Sequence, residues 1–164
     1  MTAKFLIVMG VAGSGKTVVG QALAARLGWD FYDADDFHPA ENVARMKSGI
    51  PLDDESRVPW LAVLHDLISA RLLEKKPGVL ACSALKERYR QQLLEGNPGV
   101  QMIYLKGSYE LILSRLQART GHYMKPQMLR SQFETLEEPG SALTVDVTPP
   151  VNEIVSAIAS MSFR

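Results

Sequence analysis

The sequence predicts an α/β fold in which helices cover both faces of a parallel β-sheet. Two observations lead to this prediction. Short apolar segments that suit buried strands alternate with longer segments of helical periodicity along the whole chain, as expected when helices connect parallel strands. A glycine-rich turn also joins the first apolar segment to the first helical one, which gives a β-loop-α unit at the start of the chain.

Five strands are predicted from short apolar or aromatic segments. The first is the clearest, because five consecutive apolar residues, 5–9, suit a strand that is buried on both faces. The other four are shorter segments bounded by glycine, proline or polar turns. They are predicted over residues 29–33, 79–82, 100–105 and 143–147.

Seven helices are predicted from apolar residues at helical spacing, over residues 18–27, 39–47, 60–72, 87–94, 109–119, 128–136 and 151–158. Gly28 stands where a C-terminal cap of the first helix belongs. Pro39 suits the first turn of the second helix, with Asp36 as the better candidate for its cap. Residues 52–59 are polar and turn-like, so the third helix is expected to start at Trp60.

Length, charge and cysteine content narrow the function classes. The 164 residues, with no repeat or linker, predict a single domain over 1–164. Eighteen basic and eighteen acidic residues balance, which gives no support to a nucleic-acid partner. The lone Cys82 suits a reducing compartment. A membrane span and a signal peptide are both absent from the sequence pattern, so a cytoplasmic protein is expected.

The glycine-rich turn matches the pattern G-x-x-x-x-G-K-[ST] at every fixed position. Glycines in such a loop let backbone amides point at a polyphosphate, which also faces the positive end of the next helix. Lys16 is then expected to contact the β- and γ-phosphates of a nucleotide, and Thr17 to offer its hydroxyl to Mg²⁺. The alternative is a turn that binds no ligand. The predicted nucleotide-binding residues are Gly10, Val11, Ala12, Gly13, Ser14, Gly15, Lys16 and Thr17.

Four blocks in order along the chain resemble the gluconokinase family of small sugar-acid kinases, which are related to shikimate kinases. The blocks are the phosphate loop, residues 33–42 with 47–61, residues 82–86 with Tyr89 and Arg90, and residues 132–137 with Pro139. The second and third blocks are more discriminating than the phosphate loop alone, which many unrelated families share.

The resemblance implies a three-layer phosphate-loop kinase fold with strand order 2-3-1-4-5 and a short lid at about residues 119–126. It also implies phosphorylation of D-gluconate by ATP, giving 6-phosphogluconate, and a homodimer. A kinase of another small polar acceptor, such as shikimate or a nucleotide, is one alternative. A nucleotide-dependent switch is another, although the sequence has neither an Asn-Lys-x-Asp motif nor an Asp-x-x-Gly motif after the third strand.

Two carboxylates follow the second predicted strand. Asp33 and Asp35 lie two residues apart, so they share one side if the extended backbone continues. By resemblance to the Asp-x-Asp of shikimate kinases, Asp33 is expected near the hydration shell of Mg²⁺, and Asp35 on the acceptor hydroxyl as base or orienting group. The alternative for Asp35 is a solvated acidic turn before a helix.

Binding an anion rich in hydroxyls requires cationic donors. Arg57 and Arg90 are preferred because a guanidinium binds a carboxylate in a bidentate manner, and Lys86 and His38 are further candidates. The alternatives are surface ion pairs for Arg90 and Lys86, and a helix cap for His38.

The predicted lid interrupts two helical patterns with glycine, aromatic and basic residues. A mobile cover of this kind excludes water from the transferring phosphate. Arg115 and Arg119, one helical turn apart, are expected to face ATP, with Arg119 in a catalytic role. A cap at the C-terminus of its own helix is the alternative for Arg115.

Overall fold

The computed structural model describes residues 4–119 and 126–161, and within them it contains one five-stranded parallel sheet. The strands are β1 (Phe5–Met9), β2 (Asp30–Asp33), β3 (Gly78–Ala81), β4 (Val100–Lys106) and β5 (Leu143–Asp146). Their order across the sheet is β2-β3-β1-β4-β5, which confirms the order that the resemblance implied. In the centre, Phe5 pairs with Gly78 of β3 on one side and with Val100 of β4 on the other.

Seven helices connect the strands, with one additional turn of 3-10 helix at Ala34–Phe37 directly after β2. The helices are α1 (Lys16–Leu27), α2 (Ala40–Lys47), α3 (Asp54–Leu73), α4 (Glu87–Leu94), α5 (Tyr109–Ala118), α6 (Pro126–Thr135) and α7 (Val151–Ala159). Helix α2 has no hydrogen bond from a side-chain cap, so the expectation that Asp36 caps it is wrong.

The predicted start of α3 is also wrong, because the helix begins at Asp54, six residues before Trp60. A capping box fixes this start. The Asp53 side chain accepts from the Ser56 amide at 2.7 Å, and the Ser56 hydroxyl accepts from the Asp53 amide at 3.0 Å. Pro59 lies within the helix. The earlier start brings residues 54–59 onto a rigid element that borders the site described below.

The two faces of the sheet carry separate hydrophobic clusters. Alternate residues of β1 point to opposite faces, so Ile7 packs with α3 and α4 through Leu64 and Leu93, whereas Val8 packs with α1 and α7. All five residues of β1 are fully buried. This three-layer arrangement places the end of β1, and the loop that follows it, at the centre of the sheet edge.

A third cluster lies under that loop and joins it to the later helices. Val11 packs with Leu85, Ile112, Leu116 and Leu129. The predicted lid lies outside the described residues apart from its first and last positions, Arg119 and Pro126. No helix within the described ranges is long and apolar enough to cross a membrane.

Candidate active site

The predicted phosphate loop joins the end of β1 to the first residue of α1, as its pattern requires. Gly13 (φ 80°) and Gly15 (φ 96°) both have left-handed backbone conformations, which side chains disfavour. At Gly13 space is a second reason for glycine, because a Cβ atom there would lie 2.6 Å from the Leu116 side chain. The loop is therefore shaped by backbone conformation and by the packing of α5 beneath it.

The amides of the loop are available to an anion. Within the described ranges, the amides of Gly13 and Gly15 donate to no acceptor, and the first amides of α1 lack intrahelical partners by geometry. The Lys16 ammonium donates to the Val11 carbonyl at 3.1 Å. Burial lowers the pKa of Lys16, while the charges of Asp35 and Asp33 act in the opposite direction. The loop and Lys16 together form a site for a polyphosphate.

Thr17 and Asp33 join the phosphate loop to the end of β2. The Thr17 hydroxyl donates to the Asp33 carboxylate at 3.0 Å. Hydroxyl and carboxylate oxygens are the ligands that Mg²⁺ prefers, and Mg²⁺ usually completes its shell with water and phosphate oxygens. Among the described residues no cluster of three or more His, Cys, Asp or Glu side chains could hold a metal alone. The donor set therefore fits Mg²⁺ that arrives with a nucleotide.

Asp35 lies in the 3-10 turn that follows Asp33. Its amide donates to the Asp33 carboxylate at 3.0 Å, so Asp33 caps the turn and also bonds to Thr17. The region between the phosphate loop, the 3-10 turn and α3 is termed the cleft. The Asp35 side chain there is 86% exposed. Desolvation by the surrounding protein, followed by the negative charge of Asp33, raises the pKa of Asp35, against the opposing charges of His38 and Lys16. The direction of this shift favours protonation of the Asp35 carboxylate.

His38 is held rigidly beside Asp35. Its ring stacks on Trp60 with centroids 4.3 Å apart, and its Nδ1 lies 3.4 Å from the amide nitrogen of buried Asn42. Because that nitrogen is a donor, Nδ1 is assigned as the acceptor, which leaves the proton on Nε2, 3.9 Å from an Asp35 oxygen. Burial, with a smaller contribution from the charge of Arg57, lowers the pKa of His38. Trp60, expected from the sequence only as the start of the third helix, therefore also positions His38.

Arg57 differs from the other cations near the cleft because its guanidinium has few partners. One nitrogen lies 3.5 Å from the Leu52 carbonyl, at the limit of a hydrogen bond, and the group lies over the Tyr89 ring at 5.5 Å. Its Nε is buried and has no hydrogen-bond partner in the described parts of the chain. A buried donor without a partner is costly, so Arg57 is the described cation best prepared for an anionic ligand.

Lys86 and Arg90 are already bound to protein groups. The Lys86 ammonium contacts both Asp54 oxygens, at 2.9 and 3.1 Å, and Asp54 also accepts from Arg88 and from the Tyr89 hydroxyl. Asp54 is a residue that sequence reasoning missed, because it lies in the segment expected to be a turn. The signal that was available is the place of Asp54 in the second block of the resemblance. Its partners lie 32 to 35 residues later and have no local signal.

Arg90 is buried, with 3% of its surface exposed. Its guanidinium donates to the Ala84 carbonyl, the Glu87 carboxylate and the Glu137 carbonyl at 2.8–2.9 Å. These contacts favour an anchoring role that holds the β3–α4 loop. Substrate binding by Arg90 and by Lys86 remains a prediction.

The two arginines at the end of α5 lie apart from these groups. Arg115 donates to the carbonyls of Val147 and Thr148, at 2.6 and 3.1 Å, just after β5. It therefore ties α5 to the segment after β5 rather than capping its own helix. Arg119 is exposed at the end of α5, next to the undescribed residues. The predicted contacts of both arginines with ATP remain predictions.

The fold and the site define a phosphate-loop kinase of small molecules, and comparisons with known proteins agree. The shikimate kinase family model matches residues 12–143. The chain is 46% identical to the thermoresistant gluconokinase of Escherichia coli over 92% of this chain and 89% of that protein. It is 48% identical to the thermosensitive gluconokinase of the same organism, over 85% and 74%.

A solved structure supports the same assignment. The crystal structure of a gluconokinase from Sinorhizobium meliloti superposes with a TM-score of 0.86 at 42% identity, covering 97% of this chain and 91% of that one. The chain belongs to the shikimate kinase family that the family model describes, and within it to the gluconokinases.

Proposed function

We propose that this protein transfers the γ-phosphate of ATP to a hydroxyl of D-gluconate, giving 6-phospho-D-gluconate and ADP. The hydrogen bond from Thr17 to Asp33 carries the proposal, because it joins the nucleotide half of the cleft to the turn that holds Asp35. The identity of the acceptor is supported by the gluconokinase relatives.

The phosphate loop binds and orients the nucleotide. Its amides and Lys16 hold the β- and γ-phosphates, and Thr17 and Asp33 would hold Mg²⁺, which neutralises phosphate charge when it is bound. Phosphoryl transfer depends mainly on alignment and on the neutralisation of charge. Arg119, at the start of the predicted lid, would add positive charge near the phosphates.

Asp35 receives the proton of the acceptor hydroxyl. The hydroxyl oxygen forms a bond to the γ-phosphorus, the bond from that phosphorus to the bridging oxygen breaks, and ADP leaves with the bridging oxygen. The raised pKa of Asp35 makes proton transfer to it more favourable than to an ordinary aspartate. His38 Nε2–H, fixed by Trp60 and Asn42, orients Asp35 or a sugar hydroxyl.

Arg57 binds the carboxylate of gluconate. Its guanidinium offers a fork of donors, of which Nε has no partner among the described residues. Lys86 lies over the same Tyr89 ring as Arg57, at 5.7 Å, and is a second donor once its bond to Asp54 is shared with the substrate.

A coupled ADP-release assay tests the proposal. The purified protein is given Mg-ATP and, in separate reactions, D-gluconate, shikimate, a neutral hexose and a nucleoside monophosphate. We expect kcat/KM to be highest for gluconate, and the product to be 6-phosphogluconate by mass spectrometry. A higher kcat/KM for shikimate would make shikimate the acceptor instead of gluconate. Nucleotide hydrolysis without phosphorylation of any acceptor would support a nucleotide-dependent switch.

The proposal also includes the oligomeric state, the metal ion and the cellular location of the protein. We propose a cytoplasmic homodimer of single-domain subunits that uses Mg²⁺, as the family resemblance implies. Light scattering after size-exclusion chromatography measures the mass of the particle, and a monomer at micromolar concentration would contradict the dimer. Removal of Mg²⁺ by a chelator is expected to abolish turnover, and added Mg²⁺ to restore it.

A further inference from the structure

Helix α6 is attached to the phosphate loop by two contacts of different chemistry. The Ala12 amide donates to the Gln132 side-chain oxygen at 2.7 Å, across 120 residues of sequence. Beside it, Val11 is 2% exposed and packs on Leu129 of the same helix. Val11 and Ala12, the outer arm of the phosphate loop, are therefore held from outside the loop.

The conformation of the arm matters because the loop contains two glycines with left-handed backbones, Gly13 and Gly15. A glycine-rich loop loses much conformational freedom when it is ordered around a ligand. The Ala12 amide is engaged by Gln132, whereas the amides of Gly13 and Gly15 have no acceptor among the described residues. An arm that is fixed before the nucleotide arrives reduces the ordering cost of binding.

The segment after α6 is also fixed, at the other side of the cleft. The Glu137 amide donates to the Leu85 carbonyl, and the Glu137 carboxylate accepts from the Glu87 amide at the start of α4, both at 2.8 Å. Helix α6, which carries Gln132, is therefore held just beyond its C-terminal end, and this limits the positions open to the Gln132 side-chain oxygen.

We propose that Gln132 is a positioning residue that holds the outer arm of the phosphate loop in the conformation that binds nucleotide. It touches neither the reacting atoms nor the acceptor. Its loss is expected to weaken nucleotide binding and to leave kcat and the KM of the acceptor nearly unchanged. The inference rests on the proposed function only in taking a nucleotide as the ligand of the loop.

The test compares Gln132→Met, which keeps the length of the side chain but removes the hydrogen-bond acceptor, with Gln127→Met on an exposed position of the same helix. Calorimetry measures the binding of ADP and of a non-hydrolysable ATP analogue without any acceptor. We expect Gln132→Met to weaken binding about three- to ten-fold, the size of one hydrogen bond, and Gln127→Met to have no effect. Because gluconate is absent, this result is independent of the acceptor assignment.

Hydrogen exchange of the nucleotide-free protein provides a second measurement. The amides of residues 10–16 are expected to exchange faster in Gln132→Met than in the wild type or in Gln127→Met. Nucleotide affinity of Gln132→Met within about two-fold of wild type would overturn the proposal, as would unchanged exchange. An equal rise in the KM of ATP and of the acceptor, with a lower Tm, would also overturn it by showing a general structural role.

Discussion

The two ends of the cleft present positive charge and hydrogen-bond donors in different ways. At the nucleotide end, the loop between β1 and α1 fixes the direction of Lys16 and of its backbone amides, of which those of Gly13 and Gly15 donate to no acceptor among the described residues. At the acceptor end, side chains converge from the 3-10 turn, α3, the β3–α4 loop and α4. Local backbone geometry therefore sets most of the first site, with α5 and α6 packed against it, whereas the second site depends on tertiary packing throughout.

Most of the cationic side chains at the acceptor end already pair with carboxylates or carbonyls of the protein. Lys86 and Arg88 bond to Asp54, and Arg90 bonds to Glu87 and two carbonyls. Arg57 lacks a carboxylate partner among the described residues. In the proposed mechanism the acceptor carboxylate would therefore meet one guanidinium rather than a diffuse basic patch, which would give a physical basis for selecting one acceptor.

Lys16→Ala is expected to have the largest effect, because it removes the lysine cation of the phosphate loop. We expect kcat/KM to fall by on the order of 10³-fold or more, with an unchanged circular dichroism spectrum. Steady-state kinetics measures the effect, and the exposed Lys76→Ala serves as the control. Near-normal turnover of Lys16→Ala would show that the backbone amides alone suffice.

Asp35→Asn is expected to lower kcat by about 10²-fold, because the amide cannot accept the hydroxyl proton. The control is Asp36→Asn at the exposed neighbouring residue, and it is expected to keep wild-type kcat.

The pH dependence of the wild type tests the same role of Asp35. Protonation of Asp35 removes the base, so kcat/KM falls as the pH drops through the pKa of Asp35. That pKa is raised above the ordinary value of 3.8, so the fall begins at a higher pH than for an ordinary aspartate.

The stability of Asp35→Asn gives an independent check of the same pKa. A carboxyl group whose pKa is raised by folding stabilises the protein below its unfolded pKa, and this contribution is lost as the pH rises through the folded pKa. At neutral pH the ionised Asp35 therefore opposes folding, and the neutral amide side chain of the variant is expected to leave the Tm equal or higher. A lower Tm would show that the attraction of Asp35 to Lys16 and His38 contributes more to stability than its desolvation and its repulsion by Asp33 remove.

Arg57→Ala tests the acceptor end directly. We expect the KM of gluconate to rise about ten- to hundred-fold, because a charge-assisted pair is lost, while the KM of ATP changes little. The control is Arg88→Ala, which removes an exposed guanidinium that already pairs with Asp54. If Arg88→Ala raises the KM of gluconate as much as Arg57→Ala does, the acceptor end acts as a general basic patch. Arg57 would then not differ from the cations that already pair with protein groups.

The difference between the two ends also explains how much the sequence could predict. The turn between β1 and α1 is encoded by consecutive residues and the parallel sheet by a regular alternation of elements, so both could be predicted from sequence patterns. The strand order was implied by the family resemblance instead, and it is confirmed. The start of α3 was missed because Pro59 and the polar residues before it resemble a turn. The capping pair that starts the helix, Asp53 and Ser56, departs from the common pattern with Glu or Gln at the third position.

Interactions between distant segments were beyond prediction from local patterns. The burial of Arg90 depends on the Glu137 carbonyl, 47 residues later, and the Ala12–Gln132 bond spans 120 residues. Neither contact has a periodic or local signal. The residue types at the acceptor end could be selected by their chemistry, but their partners could not, because these partners are set by the packing of α3, α4 and the segment after α6.

Ser108→Ala is expected to have the smallest effect of these variants. It lowers the stability of the whole protein without changing a residue of either end of the cleft. The Ser108 hydroxyl caps α5 by accepting from the Leu111 amide at 3.1 Å. Its loss is expected to cost about 1 kcal/mol and to lower the Tm by about 2–4 °C in differential scanning calorimetry. Ser114→Ala, within the same helix, is the control and should keep the Tm or raise it slightly.

Both KM values are expected to stay unchanged in Ser108→Ala, since neither end of the cleft uses this hydroxyl. Helix α5 nevertheless supports the phosphate loop through Leu116, which packs against Gly13. A rise in the KM of ATP alone would therefore show that the shape of the loop depends on the stability of α5. The nucleotide end would then need the stability of α5 as well as its own backbone conformation, and the contrast between the two ends of the cleft would be smaller.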